Sequence, residues 1–247
     1  MEKAATNPLV SCAIVCGEYM KATGFFYRAS AQIYLITARH NVLPTDGTKI
    51  RSGDIPTNFR TTDQLPTIDV YLQTEQGHSS KRIDIRERPG TVQKPEIDVL
   101  AVPINFDPEE WEYHVWSASD TTAPTETTDT IEIFGFNGWT YPDSGTIYSR
   151  TAYEEELGPP VVLTLQNELI GEENVSRSGL LGTGIDKEFV GADEDYNGLS
   201  GSPVIGDNLV GIHSQNVAPL DEAIEQRGDG DFMLCCYTRA DVLPELL

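Results

Sequence analysis

Apolar residues in this chain fall in short runs divided by turn-forming residues. In the first third these runs are Leu9 to Val15, Thr23 to Tyr27, Ile33 to Thr37, Ile68 to Leu72 and Lys81 to Ile85, rich in Val, Ile, Tyr and Phe. Polar connections such as Thr45-Asp46-Gly47-Thr48 and Asp54-Ile55-Pro56-Thr57-Asn58 separate them. Runs of this length and spacing predict an antiparallel all-β body. No long stretch carries a helical period.

Ser117 to Thr130 breaks the pattern: it is polar, Thr-rich and without an apolar stripe, as suits a connection crossing the surface. Strand signals resume at Ile131 to Phe136, Gly145 to Thr151, Val161 to Gln166, Pro203 to Ile205, Leu209 to Ser214 and Phe232 to Tyr237, with Gly206-Asp207 as a hairpin turn. Two β modules are therefore expected, one on each side of residue ~120. The tail from Thr238 predicts a short terminal helix, with Thr238 as its cap and Val242, Leu243, Leu246 and Leu247 facing the body. Pro244 limits that helix to one or two turns.

The composition narrows the partners. Among 247 residues, 17 are Lys or Arg and 39 are Asp or Glu, for a net charge of −22. Such a chain is repelled by nucleic acid and by anionic membranes, so neither is an expected partner. No segment has the apolar length to span a bilayer and no signal peptide is evident, so a cytoplasmic protein is expected. Of the four cysteines, Cys12 and Cys16 sit on one predicted strand, where four residues span roughly 13 Å, too far for a bond between them. Cys235 and Cys236 are adjacent, and neither pair has zinc-ligand spacing. The thiols read as those of a reducing compartment, and no cofactor or metal is expected. The acidic clusters Glu154-Glu155-Glu156, Glu172-Glu173 and Asp193-Glu194-Asp195 match no calcium loop and read as solvated surface.

Candidate chemistry centres on Gly198-Leu199-Ser200-Gly201-Ser202-Pro203, a serine between glycines just before an apolar run. The pattern suits a tight loop that presents one hydroxyl and then enters a strand. The backbone N–H groups of Gly198 and Ser200 can converge there on one developing oxyanion. A serine nucleophile needs a base, and His40 stands where a strong apolar strand ends, in Leu35-Ile36-Thr37-Ala38-Arg39-His40-Asn41. The base in turn needs an orienting carboxylate, and Asp98 opens the apolar run Val99-Leu100-Ala101-Val102. A charge in such company requires a partner.

Thr-Ala-x-His, then Asp-Val-Leu-Ala-Val, then Gly-x-Ser-Gly-Ser-Pro, in that order, resembles the chymotrypsin-like (trypsin-fold) serine peptidases over nearly the whole chain. An α/β-hydrolase would place its histidine last. The resemblance implies two antiparallel six-stranded β-barrels with a short C-terminal helix: residues 1–118 carrying His40 and Asp98, a linker over 119–130, and residues 131–247 carrying Ser200. It also implies a serine endopeptidase acting on protein or peptide substrates through a catalytic triad of His40, Asp98 and Ser200, with an oxyanion hole at Gly198 and Ser200. Leu199, His213, Ser214, Gln215 and Asn216 would contact substrate, and Ser214 matches the position whose hydroxyl bonds the triad aspartate.

The likeness is to bacterial or archaeal members without trypsin disulfides. Asn41 replaces a disulfide cysteine, and Leu199 replaces the aspartate that receives a freshly cut N-terminus, so activation by N-terminal cleavage is not expected. His213 matches a position where glutamate- and glutamine-specific relatives carry histidine, which implies Gln or Glu before the scissile bond. Two other readings remain open: a protease-fold module that binds without turnover, and an effector peptidase silent until an activating protein partner orders the loop before Ser200.

Overall fold

The computed structural model describes residues 8–16, 20–42, 67–74, 77–94, 97–122, 130–136, 161–166, 180–186, 198–217 and 232–247. The expected strand at Gly145 to Thr151 and the three acidic clusters lie outside the described residues.

The described strands form two sheets. The first contains β1 (Cys12–Cys16), β2 (Met20–Ala29), β3 (Gln32–Ala38), β4 (Thr67–Thr74), β5 (Gly77–Asp84), β6 (Val92–Lys94), β7 (Val99–Pro103) and β8 (Val115–Ser117). Its order is β5-β4-β1-β2-β3-β7-β6, all neighbours antiparallel, with β8 joining β2 in parallel. The second contains β9 (Thr130–Gly135), β10 (Val161–Gln166), β11 (Leu180–Asp186), β12 (Pro203–Ile205), β13 (Leu209–Val217) and β14 (Phe232–Arg239), in the antiparallel order β10-β9-β12-β13-β14-β11. The first sheet thus has eight strands where six were expected, because the three-residue strands β6 and β8 add to it.

Side-chain alternation along β2 and β3 explains how the sheets meet. Phe26 pairs with Leu35 and both enter the core of the first sheet with Ile14, Leu72 and Leu100. Their neighbours Phe25, Tyr27 and Ile36 point the other way, into a second core shared with Phe134, Leu209, Ile212 and Leu243. A strand covered on both faces reads as an unbroken apolar run. Each such aromatic or aliphatic side chain contributes about 1.5–3 kcal/mol on burial, so the shared core holds the two sheets in one relative placement.

A buried acid on β4 is structural. Asp69 on β4 is only 4% exposed, and its cross-strand neighbour Arg82 on β5 grips it with two bonds of 2.9 and 2.8 Å.

The C-terminus differs from expectation. Thr238 is not a helix cap: it continues β14, and its hydroxyl donates to the Ile97 carbonyl at 2.7 Å. A tertiary acceptor has replaced the local one. The helix α1 (Leu243–Leu246) follows a 3-10 turn at Ala240–Val242 and buries Leu243. Among the described residues no helix is long and apolar enough to cross a membrane.

Candidate active site

The end of β3, the start of β7 and the β12–β13 hairpin converge on one point between the sheets. After Ala38 the chain leaves β3 through a 3-10 turn at Arg39–Asn41, closed by the Val42 N–H on the Arg39 carbonyl. This turn sets His40 at the rim.

Asp98 enters β7 with φ at 50°, the left-handed region that Asp and Asn tolerate best among side-chain-bearing residues. That bend lets one residue face two consecutive N–H groups of the turn. The Asp98 carbonyl accepts from Arg39 N at 2.9 Å, and Asp98 Oδ1 accepts from His40 N at 3.0 Å. Asp98 Oδ2 lies 2.6 Å from His40 Nδ1 and takes the Ser214 hydroxyl at 2.7 Å. An ionised carboxylate only accepts, so the bond between them places the His40 proton on Nδ1. Burial alone pushes the Asp98 carboxyl up, but the His40 charge, the His40 ring and backbone bonds and the Ser214 hydroxyl together outweigh it and hold the group below its ordinary value.

Ser214 reaches Asp98 because β13 bulges there. The β13–β14 register passes from His213 opposite Tyr237 to Gln215 opposite Cys236, so Ser214 falls at the irregularity.

Ser200 lies in the loop Gly198–Ser202. Gly198 and Gly201 have φ of 98° and 92°, conformations that L side chains rarely adopt. A Cβ on Gly201 would overlap the Thr23 carbonyl oxygen and the Thr37 hydroxyl, so the loop presses directly on β2 and β3. The Ser200 hydroxyl donates to the Ser214 carbonyl at 2.8 Å. Ser214 therefore touches the acid with its side chain and the nucleophile candidate with its backbone.

The remaining candidates divide. Leu199 is 0% exposed and packs at Gly135. His213 is 1% exposed. Burial, then the nearby charge of His40, depresses its imidazole to about 3 against an opposing backbone bond at Cys236, so at neutral pH it is uncharged. Gln215 and Asn216 lie on β13 opposite Cys236 and Cys235, and their side chains lie outside the described residues. Cys12, Cys16 and Cys236 are buried thiols, and burial raises the Cys236 thiol to about 11, well away from reactivity.

Sequence reasoning missed three buried side chains. Thr23, Thr37 and Asn41 hydrogen-bond one another and the loop that carries Ser200. Thr23 and Thr37 showed only as hydroxyls inside apolar strands and Asn41 only as an amide beside His40, while the loop they support lies far away in sequence.

No family model matches the sequence and no curated protein matches it. Solved structures do. The chain is similar to a thermostable serine protease, AL20, from an extremophilic microorganism, with 12% identity and a TM-score of 0.51 over 97% of this chain and 95% of that one. It is also similar to a protein named HBP, with 14% identity and a TM-score of 0.50 over 97% and 89% of the two chains. The fold is that of the chymotrypsin-like serine proteases.

Proposed function

We propose that the chain is a serine endopeptidase. The observation that carries this reading is the convergence on Ser214: its hydroxyl shares Asp98 Oδ2 with His40 Nδ1, and its carbonyl holds the Ser200 hydroxyl. The likeness to a protein named a serine protease supports it. Residues 1–118 supply His40 and Asp98, residues 119–130 connect, and residues 131–247 supply Ser200.

In this mechanism the Ser200 hydroxyl turns about its Cα–Cβ bond from Ser214 to His40 Nε2, a move between staggered wells. His40 takes the proton as Ser200 Oγ bonds to the peptide carbonyl carbon. The carbonyl oxygen gains the negative charge, which the N–H groups of Gly198 and Ser200 receive. His40 then gives its proton to the departing amine, leaving an acyl-enzyme that water hydrolyses by the same steps. Asp98 fixes the ring and supports the imidazolium.

The side chain before the scissile bond is glutamine or glutamate, with glutamine favoured, since an uncharged His213 supplies no positive charge to a carboxylate. The resting position of Ser200 favours a second reading, in which a protein partner draws the hydroxyl to His40 and the cytoplasmic enzyme is silent alone. A fluorophosphonate probe decides between them. Labelling of the purified chain that disappears in Ser200→Ala supports the autonomous enzyme, and labelling only with added lysate supports the second reading. Absence of labelling in both defeats the peptidase assignment.

A further inference from the structure

The oxyanion donors of a serine peptidase are backbone N–H groups, and a planar peptide aims its N–H opposite its carbonyl. Whatever holds the carbonyls of the nucleophile loop therefore aims its donors. Three consecutive carbonyls are held here. The Gly198 carbonyl accepts the Thr23 hydroxyl at 2.8 Å. The Leu199 carbonyl, in the same peptide unit as Ser200 N–H, accepts Ser202 N at 2.9 Å. The Ser200 carbonyl accepts Asn41 Nδ2 at 2.8 Å and Thr23 N at 3.2 Å.

Two of these clamps come from the first sheet. Thr23 is on β2, and Asn41 follows His40 in the turn after β3. They are braced together by Thr37, whose hydroxyl donates to the Thr23 carbonyl at 2.8 Å and accepts from Asn41 Nδ2 at 3.1 Å. Thr23 Oγ1 also accepts Phe136 N at 2.9 Å, so its proton is directed to Gly198. All three are buried polar residues, where hydrogen bonds are strong and loose alternatives few.

We propose that Thr23 and Asn41 are positioning residues that set the nucleophile loop in its reactive shape. The peptide carrying Ser200 N–H lies between two units pinned to the first sheet, so it cannot turn over without breaking a buried bond. Asn41 also ties the loop to the turn that carries His40, so base and nucleophile share one support. The shape of the loop is thus a property of the folded first sheet and needs no cleaved N-terminus. This inference rests on the peptidase reading, and one arm of its test does not.

The kinetic arm compares Thr23→Val, Thr23→Ser and Asn41→Ala with the unsubstituted chain. Thr23→Val and Asn41→Ala are expected to lower kcat roughly 10–100-fold, the scale of slight misplacement in an active site. KM should stay within about twofold and the shape of the pH–rate profile should not change. Affinity for a peptidyl trifluoromethyl ketone, whose adduct carries an oxyanion, should fall with kcat. Thr23→Ser keeps the hydroxyl and should restore both. A folded Thr23→Val with unchanged kcat, a loss confined to KM, or no rescue by serine overturns the proposal.

The second arm is amide hydrogen exchange at Gly201 and Ser202 without substrate. In the unsubstituted chain these amides should exchange as slowly as those of β13, and in Thr23→Val at least tenfold faster than that. Unprotected exchange in the unsubstituted chain overturns the proposal even if the variants fail to fold or no peptidase activity is found. Failure of the fluorophosphonate experiment with slow exchange here would defeat the peptidase reading alone.

Discussion

Ser214 and Asp98 meet at one oxygen: the serine hydroxyl donates to Asp98 Oδ2 at 2.7 Å, the same atom that lies 2.6 Å from His40 Nδ1. Two donors on one carboxylate oxygen, with a third on Oδ1, keep Asp98 ionised despite its burial. Asp98→Asn tests what that charge does. Asparagine tolerates the left-handed backbone that position 98 requires, so the fold should persist with an unchanged near-ultraviolet circular dichroism spectrum. The amide holds His40 in the wrong tautomer, and kcat should fall about 10⁴-fold. A folded variant within tenfold of the unsubstituted chain would remove Asp98 from the mechanism.

His213 makes a separate prediction about acid. Its imidazole is depressed to about 3 in the fold, first by burial and then by the His40 charge. An unfolded histidine titrates near 6.5, so below about pH 6.5 the unfolded chain binds a proton that the folded chain refuses. The contribution is complete above that pH and erodes as pH falls toward the folded value, by at most about 1.4 kcal/mol per pH unit. Asp98 acts lower: being depressed, it adds stability above about pH 4 that is lost as pH falls through its folded value. Urea unfolding between pH 7 and about pH 4.5 should therefore show a slope that His213→Gln flattens. Equal slopes in both proteins would contradict the burial argument.

Much of the fold was legible because short apolar runs report strands directly. Ile33 to Thr37 lies within β3, and Val161 to Gln166 coincides with β10. The three-residue β6 and β8 are too short to carry a period, and β5 begins four residues before its expected start, at exposed Gly77 and His78 on the outermost strand of its sheet. In the candidate site, His40, Asp98 and Ser200 stand out through residue types at element ends. An acid in an apolar run is not enough, however: Asp69 carries the same local signal and is held by Arg82. Thr23 and Asn41 were illegible for another reason. Their acceptors, the Gly198 and Ser200 carbonyls, lie 175 and 159 residues away, and backbone carbonyls carry no sequence signature.

Gly201 should tolerate no side chain. Its φ of 92° strains any L-residue, and a Cβ would overlap the backbone of Thr23 and the hydroxyl of Thr37 on two paired strands. Backbone strain and overpacking each cost about 1–3 kcal/mol, so Gly201→Ala should lose roughly 2–5 kcal/mol in urea unfolding. Activity should vanish with it. A variant within 1 kcal/mol of the unsubstituted chain, on the order of an ordinary surface change, would show that the loop moves away freely and would weaken the case for a rigid nucleophile loop.

Substrate preference depends on the charge of the chain and on the charge state of His213. A carboxylate before the scissile bond would approach a chain of net charge −22 and meet at His213 an imidazole with no positive charge to offer. A glutamine side chain carries no such penalty and can hydrogen-bond a neutral ring. In peptide-library profiling at pH 7 and low salt, glutamine should exceed glutamate in kcat/KM by roughly tenfold, about 1.4 kcal/mol of discrimination. Added salt should narrow the gap, since it screens the chain's overall charge and leaves the neutral contact intact. His213→Leu should lower the glutamine rate and leave small apolar residues unaffected. A preference for basic or aromatic residues, or for glutamate over glutamine at low salt, would show that His213 is a core histidine without a part in recognition.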